Sequence, residues 1–112
     1  MNAEKVKTQM RKGMLDFCVL LQISRGEAYA SQIIESLKEA HLIVVEGTLY
    51  PLLMRLKNEG LLSYRWEESP SGPPRKYYSL TPAGQSFLAS LLEAWGELEG
   101  AINHLLKTPN KQ

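Results

Sequence analysis

Apolar residues recur every three or four positions in the first 60 residues of the chain, and this period predicts helices. A first helix is expected over residues 5–23, with one apolar stripe formed by Met10, Met14, Phe17, Cys18 and Leu21 and another by Val19, Leu20 and Ile23. Two stripes predict a helix that is buried on two sides. A second helix, over residues 30–40, presents Ile33, Ile34 and Leu37 to the core.

A third helix follows a turn at residues 41–46 and ends at Gly60. Its core face carries Leu49, Leu52, Leu53 and Leu56, and its opposite face carries Tyr50, Pro51, Met54, Arg55 and Asn58. Because proline has no N–H to donate, Pro51 is expected in the first turn. Thr48 would then be the N-cap, although a start one or two residues earlier, with a local distortion, also fits the pattern.

The residues after the third helix alternate in polarity, which predicts two half-buried strands. The alternation involves Leu62, Tyr64 and Trp66 before the connection SPSGPP, and Tyr78 and Leu80 after it. The connection is expected to be rigid and to continue neither strand. A helix with a free outer face followed by a hairpin is the layout of a winged helix-turn-helix, in which the helix enters the DNA major groove. The predicted class is mainly α with a β-hairpin (α+β).

The last helix is predicted to start at Thr81-Pro82 and to end near residue 107. Its apolar positions Gly84, Leu88, Leu91, Trp95, Leu98, Ile102 and Leu105 form a heptad seam, widened by Leu92 and Leu106. At 1.5 Å per residue this seam is ~35 Å long, more than the rest of a small domain can cover. We therefore expect a homodimer whose interface contains Leu88, Leu91, Trp95, Leu98, Ile102 and Leu105.

Composition is compatible with a single globular domain. The chain has 112 residues, 44% of them hydrophobic, and one cysteine, Cys18. We expect a DNA-binding region at 1–80, a dimerisation helix at 81–108 and a tail at 109–112. A single cysteine excludes an internal disulfide, and no run reaches the ~18 apolar residues of a membrane span, so a cytoplasmic protein without a membrane partner is expected.

Net charge is the observation that fits a nucleic-acid partner least well. The formal charge is only +1, whereas such domains are often strongly basic. The charges are segregated, however, because residues 1–25 carry Lys5, Lys7, Arg11, Lys12 and Arg25 against Glu4 and Asp16. Segregation of this kind can produce a basic face on a nearly neutral protein.

Two segments together resemble one known family. The run GTLYPLLMRLKNEGLL, followed by RKYYSLTPAG after the turn, resembles the signature of the PadR transcriptional regulators. The single long C-terminal helix resembles the short PadR subgroup, which includes multidrug-sensing repressors. The resemblance implies a homodimer joined through the last helix, two recognition helices, and effector binding near the dimer centre.

Candidate DNA-binding residues lie on the third helix and the hairpin, and comprise Thr48, Tyr50, Pro51, Arg55, Arg75 and Lys76. Hydroxyls and amides at the start of a helix suit phosphate oxygens, and Arg55 could reach a phosphate or a guanine edge. Family patterns rank Tyr50 and Lys76 first. The alternative is that Tyr50 packs locally and that Arg75 and Lys76 are only solvated.

Trp95 is the candidate effector-binding residue. In the subgroup that this chain resembles, a tryptophan at the matching place faces its symmetry mate, and flat aromatic drugs can stack between two such rings. The implied pocket contains Met14, Phe17, Leu21, Leu92, Trp95, Glu99 and Ile102, in which Glu99 favours cationic ligands. Leu21 replaces a polar residue of the subgroup and makes the pocket more apolar. Simple interface packing of Trp95 is the alternative.

Other chemistry has little support in the sequence. Cys18 is expected to be an inert core thiol rather than a redox sensor, and the distant His41 and His104 predict no metal site. No nucleophile grouping or phosphate-binding glycine loop is present, so we expect neither an enzyme nor a cofactor. The favoured interpretation is a dimeric repressor on a two-fold symmetric operator. A winged-helix protein-interaction module and a repressor without an effector remain the alternatives.

Overall fold

The protein consists of four helices and one antiparallel hairpin. The computed structural model describes residues 2–107 and 109, in the order α1 (Ala3–Ser24), α2 (Ala30–Glu39), α3 (Glu46–Asn58), β1 (Leu62–Ser69), β2 (Gly72–Leu80) and α4 (Pro82–Lys107). The predicted α+β class and the order of its elements are confirmed. Most of the expected tail at 109–112 lies outside the described residues, and the division of the chain at residues 80 and 108 stays a prediction.

The core lies where the C-terminal half of α1 meets α2 and α3. Val19, Leu20 and Ile33 are fully or almost fully buried, together with Leu49 and Leu53 of α3. Each such side chain contributes about 1.5–3 kcal/mol relative to an exposed position. These contacts fix α3 against the body of the protein and leave its other face in solvent.

Only half of α1 behaves as the sequence predicted. Phe17 is buried, but Met10 is 67% exposed, and Met14, Cys18 and Leu21 are only partly covered. The stripe that enters the core is instead the one containing Val19, Leu20 and Ile23. Burial on two sides is therefore wrong for residues 5–13, all of which are exposed in the single chain.

The start of α3 differs from the preferred prediction and lies three residues earlier, one residue beyond the range that the alternative allowed. The helix begins at Glu46 after an N-cap at Val45 that makes no side-chain capping bond, so Pro51 lies inside the helix rather than in its first turn. Thr48 is a helical residue whose N–H donates to the Val45 carbonyl at 3.0 Å. Burial of the leucine face outweighs the one backbone hydrogen bond that proline removes.

The end of α3 is the turn that the sequence predicted. Gly60 has φ +79°, a conformation that costs glycine little. Its N–H donates to the Lys57 carbonyl, and the Leu61 N–H donates to the Leu56 carbonyl, both at 3.0 Å. These paired bonds satisfy the last carbonyls of the helix and direct the chain into β1.

The hairpin is longer and more exposed than expected. Residues Leu62 and Leu80 pair at its base, and Ser69 pairs with Gly72 at its tip, so Pro73 and Pro74 belong to β2. The prediction that SPSGPP continues neither strand is therefore wrong. Each strand of a two-stranded hairpin has one free edge, where a missing proline N–H costs little.

Burial along the hairpin is confined to its base. In β1 only Leu62 is buried, whereas Tyr64 and Trp66 are exposed, so the expectation of two half-buried strands is wrong for most of β1. Tyr78 of β2 is buried and exchanges two backbone hydrogen bonds with Ala28, at 2.8 and 3.1 Å. This bridge attaches the base of the wing to the loop between α1 and α2.

The first turn of α4 is joined to the end of α3. Thr81 is the N-cap, as predicted, because its Oγ1 accepts the Gly84 N–H at 3.0 Å. The same hydroxyl donates to the Gly60 carbonyl at 2.6 Å. Gly84 lies directly against the backbone of Leu61.

Helix α4 then extends beyond the body of the protein, within a molecule of 65 × 32 × 22 Å. In the described residues, no helix is long and apolar enough to cross a membrane.

Candidate nucleic-acid interface

Lys76 of β2 is held between two aromatic rings of β1. Its Nζ lies 4.5 Å from the centroid of Tyr64 and 5.2 Å from that of Trp66. Nζ of Lys57 on α3 lies 5.8 Å from the centroid of the same Tyr64 ring. Neither lysine forms an ion pair with any residue that the structure describes. Both ammonium groups thus keep their charge available for an outside anion, while the rings limit their motion.

A second stacked arrangement occupies the opposite face of the hairpin. The Arg75 guanidinium lies 4.4 Å above the Tyr29 ring, and Tyr29 meets Tyr77 edge to face at 5.3 Å. Arg65 in turn lies 4.9 Å above the Tyr77 ring. Tyr29 immediately precedes α2, so this series of contacts orients the wing relative to the helix-turn-helix. Like the two lysines, Arg75 forms no ion pair among the described residues.

Arg65 differs from Arg75 because carboxylates neutralise it. Its Nε donates to Glu27 at 3.0 Å and its Nη1 to Glu67 at 3.0 Å. The hydrogen bond from Arg65 lowers the pKa of Glu27, and the bonds to Glu27 and Glu67 raise the pKa of Arg65. This cluster has a structural role, as it joins the wing to the α1–α2 loop. Glu27 lies 38 positions from Arg65 in the sequence, so no local signal could have revealed that pair.

The unpaired cations border two clefts beside α3 and the wing. The larger, of 630 Å³, lies between the start of α2, α3 and the wing, and its lining includes Tyr29, Ser31, Tyr50, Arg75 and Lys76. The smaller, of 190 Å³, lies between α3 and the hairpin, and its lining includes Tyr50, Met54, Lys57 and Lys76. The structure thus brings Tyr50, Arg75 and Lys76 together, as the sequence suggested. It adds Tyr29 and Lys57, which the sequence analysis missed.

Arg55 lies apart from this group. Its Nη2 donates to both carboxylate oxygens of Asp16, at 2.8 and 2.9 Å, and its Nη1 donates to Glu59 at 3.3 Å. Hydrogen bonding to Asp16 is the main cause that raises the pKa of Arg55. The guanidinium therefore joins α3 to α1. Thr48 and Pro51 are exposed on α3, and whether either contacts DNA stays a prediction.

The residues predicted to bind an effector divide between the core and the surface. Phe17 is buried within its own chain, and Met14 and Leu21 are partly buried. Leu92, Ile102 and Glu99 are exposed, and Trp95 is 39% exposed.

Burial raises the pKa of the Cys18 thiol, which favours its neutral and less reactive form. Among the described residues, no group of three His, Cys, Asp or Glu side chains could hold a metal ion.

The predicted dimer-interface residues are divided in a similar way. Leu88 is buried inside its own chain, and Leu91 packs partly against the same core. Leu98, Ile102 and Leu105 are all more than half exposed. Within one chain, therefore, only the part of the seam beyond Leu91 lacks a covering surface.

Comparison with known proteins assigns the chain to a family. The profile of the PadR-like transcriptional regulators matches residues 19–90, well over half of the chain. The chain belongs to the PadR-like family. As a member it is a DNA-binding transcriptional regulator and not an enzyme, which confirms the resemblance seen in the sequence.

Solved structures of the PadR-like family agree with this assignment. A PadR-like transcription factor from Bacteroides fragilis is 62% identical, with 90% of this chain and 98% of that chain covered and a TM-score of 0.76. A family regulator from Eggerthella lenta is 34% identical over 95% and 93% of the two chains, with a TM-score of 0.83. A regulator from Bacillus cereus is 36% identical over 90% and 99%, with a TM-score of 0.80.

Proposed function

We propose that this PadR-family regulator is a homodimeric repressor that binds a two-fold symmetric operator and is released by a small aromatic effector. The observation that carries the DNA-binding mode is the group of cations from the wing and from α3 that lies beside the exposed face of α3. Lys76, Arg75 and Lys57 are oriented by aromatic rings and form no ion pair in the described chain. In this mode α3 enters the major groove and the wing contacts the neighbouring phosphates.

Dimerisation is supported by the bare apolar surface of α4. The large hydrophobic residues that remain exposed on this helix are Phe87, Leu92, Trp95, Leu98, Ile102, Leu105 and Leu106. An apolar stripe of this length is typical of an interface rather than of a free surface. Val6 and Met10, on the uncovered half of α1, extend the available apolar surface. In the proposed dimer the two α3 helices lie about one DNA turn apart, ~34 Å.

The proposed effector site is the space between the two copies of Trp95. A partly exposed indole on a dimer helix offers a flat surface to a planar aromatic ligand, and Glu99, one helical turn away, favours a cationic one. An effector that binds only one spacing of the α3 helices would shift the dimer away from the operator-binding form. Phe17 is already buried in the core, so we do not include it among the ligand-contacting residues.

A mobility-shift assay on the DNA flanking its own gene tests the proposal. We expect binding that weakens steeply as salt rises, because DNA contacts release counterions. Phenolic or cationic aromatic compounds are expected to release the protein from the DNA. A protein that binds no DNA at any salt concentration would favour the alternative of a protein-interaction module. If the protein binds the operator tightly and no compound in a broad screen affects that binding, the alternative of a repressor without a small-molecule effector is supported.

A further inference from the structure

The outward strip of α3 has an unusual chemistry for a recognition helix. Gly47, Pro51, Met54 and Asn58 follow one another at spacings of four, three and four residues, which places them on one face. All four are exposed, and none carries a charge. Met54 supplies the largest side chain of the strip and is 61% exposed. Tyr50, 49% exposed, lies one turn before Met54.

Helix α3 itself contributes no free guanidinium to this strip. Arg55 is the only arginine of α3, and its guanidinium is occupied by Asp16 and Glu59. Lys57, the only lysine of α3, has its ammonium near the Tyr64 ring on the hairpin side. The commonest specific contact of a recognition helix is a bidentate bond from Arg or Lys to guanine. The strip around Met54 contains no residue that could make it.

The surroundings of the strip nevertheless fit a DNA duplex. The unpaired ammonium groups of Lys57 and Lys76 line a cleft that also contains Tyr50 and Met54. An apolar surface bordered by cations is complementary to a major groove, in which phosphates flank the base edges. The apolar group that projects into that groove is the 5-methyl group of thymine.

We propose that Met54, with Tyr50 beside it, reads thymine 5-methyl groups in the major groove. The operator half-site therefore contains at least one thymine that is recognised through its methyl group rather than through a hydrogen bond. This inference rests on the proposed function, because it requires α3 to lie in the groove. It adds the specificity-determining residue and the chemical group that this residue recognises.

The experiment replaces thymine by uracil, which removes only the methyl group. An operator is first selected from random duplexes with the full-length protein, and each thymine is then exchanged singly for deoxyuridine. Burial of one methyl group corresponds to about a fourfold change in affinity. We expect that loss at one or two positions of each half-site, and about fifteenfold when the symmetric pair is exchanged together.

Variants of Met54 assign the effect to its side chain. With Met54→Ala the uracil and thymine operators should bind equally at that position, whereas Met54→Leu should keep the discrimination. Both variants should melt near the unmodified protein, because the side chain is mostly exposed. An operator indifferent to uracil everywhere, or a uracil effect that persists in Met54→Ala, would overturn the inference. Failure to select any sequence above non-specific binding would instead overturn the proposed operator function.

Discussion

Asp16 of α1 and Arg55 of α3 form an ion pair. The pair connects α1, which packs against α4, to α3, which lies beside the wing. Both oxygens of Asp16, on α1, accept hydrogen bonds from Nη2 of Arg55, on α3, at 2.8 and 2.9 Å. The two side chains remain 38% and 49% exposed, so the pair contributes at most about 1 kcal/mol to stability. Its larger consequence is that it removes the only guanidinium of α3 from the set of unpaired cations.

Asp16→Asn tests whether that removal matters. The substitution leaves Glu59 as the only partner of Arg55, so the guanidinium becomes available to a phosphate. We expect DNA affinity to rise a few-fold at low salt, and the salt slope to steepen by about 1, with little change in melting temperature. Fluorescence anisotropy across a salt series measures both quantities.

Glu35→Gln is the matched control, because it removes the same charge from α2 at a residue that forms no described ion pair. Arg55→Met in the otherwise unmodified protein should leave the salt slope unchanged. A slope reduced by about 1 in Arg55→Met would show that Arg55 already contacts a phosphate.

Gly84→Ala should destabilise the protein strongly, although the substitution adds only one methyl group. A Cβ at this position would overlap the backbone carbonyl of Leu61, which cannot move aside as a side chain could. We expect a loss of about 1–3 kcal/mol in the free energy of unfolding. Gly100→Ala on the same helix is the control, since its Cβ meets nothing within 4 Å, and it should stabilise the helix by about 0.5–1 kcal/mol. Equal denaturation midpoints for the two variants would refute the close approach.

Leu98→Asp should weaken dimerisation. Leu98 is 56% exposed in the single chain, so a carboxylate there costs little in the monomer but would be buried in the proposed interface. Asn103→Asp, which adds the same charge outside the heptad seam, should have little effect. Sedimentation at micromolar concentration should show a dimer for the unmodified protein and for the control. A monodisperse monomer of the unmodified protein would exclude the proposed assembly.

Tyr50→Ala and Lys76→Ala should each weaken operator binding without a comparable loss of stability. Tyr50 is about half exposed, and Lys76 contacts only exposed rings. If Lys76 contacts a phosphate, its loss should weaken binding to all sequences and lower the salt slope by about 1. Lys38→Ala, at the end of α2 and outside both clefts, serves as the control. An unchanged affinity and slope in Lys76→Ala would count against the wing contact.

Trp95 should report effector binding by fluorescence. A planar aromatic ligand stacked on the indole should quench its emission, with micromolar affinity of about −8 kcal/mol. The only other tryptophan, Trp66, lies on the wing, so Trp66→Phe should preserve the quenching and Trp95→Ala should abolish it. If Trp95 only packs in the interface, Trp95→Ala should instead cost ~3–5 kcal/mol, and no compound should quench the unmodified dimer.

The local signals in the sequence determined the elements and their order. The leucine period of α3, the Thr81-Pro82 start of α4 and the stop at Gly60 each depend on residues within a few positions of one another. Such signals act through backbone geometry and short-range hydrogen bonds, and tertiary packing preserved them here. The family could be read for the same reason, since its motif lies in two continuous runs of residues.

Tertiary structure alone decided which groups are free to act. Arg55 and Arg75 look alike in the sequence, yet one is neutralised by Asp16, 39 positions away, and the other lies unpaired above Tyr29. Long-range packing also placed Pro51 inside α3, because burial of the leucine face outweighs one lost hydrogen bond. Ion pairs, ring contacts and burial depend on the distance in space between residues far apart in the chain. The sequence therefore determined the helices and the hairpin, while the fold decided which cations remain available for DNA.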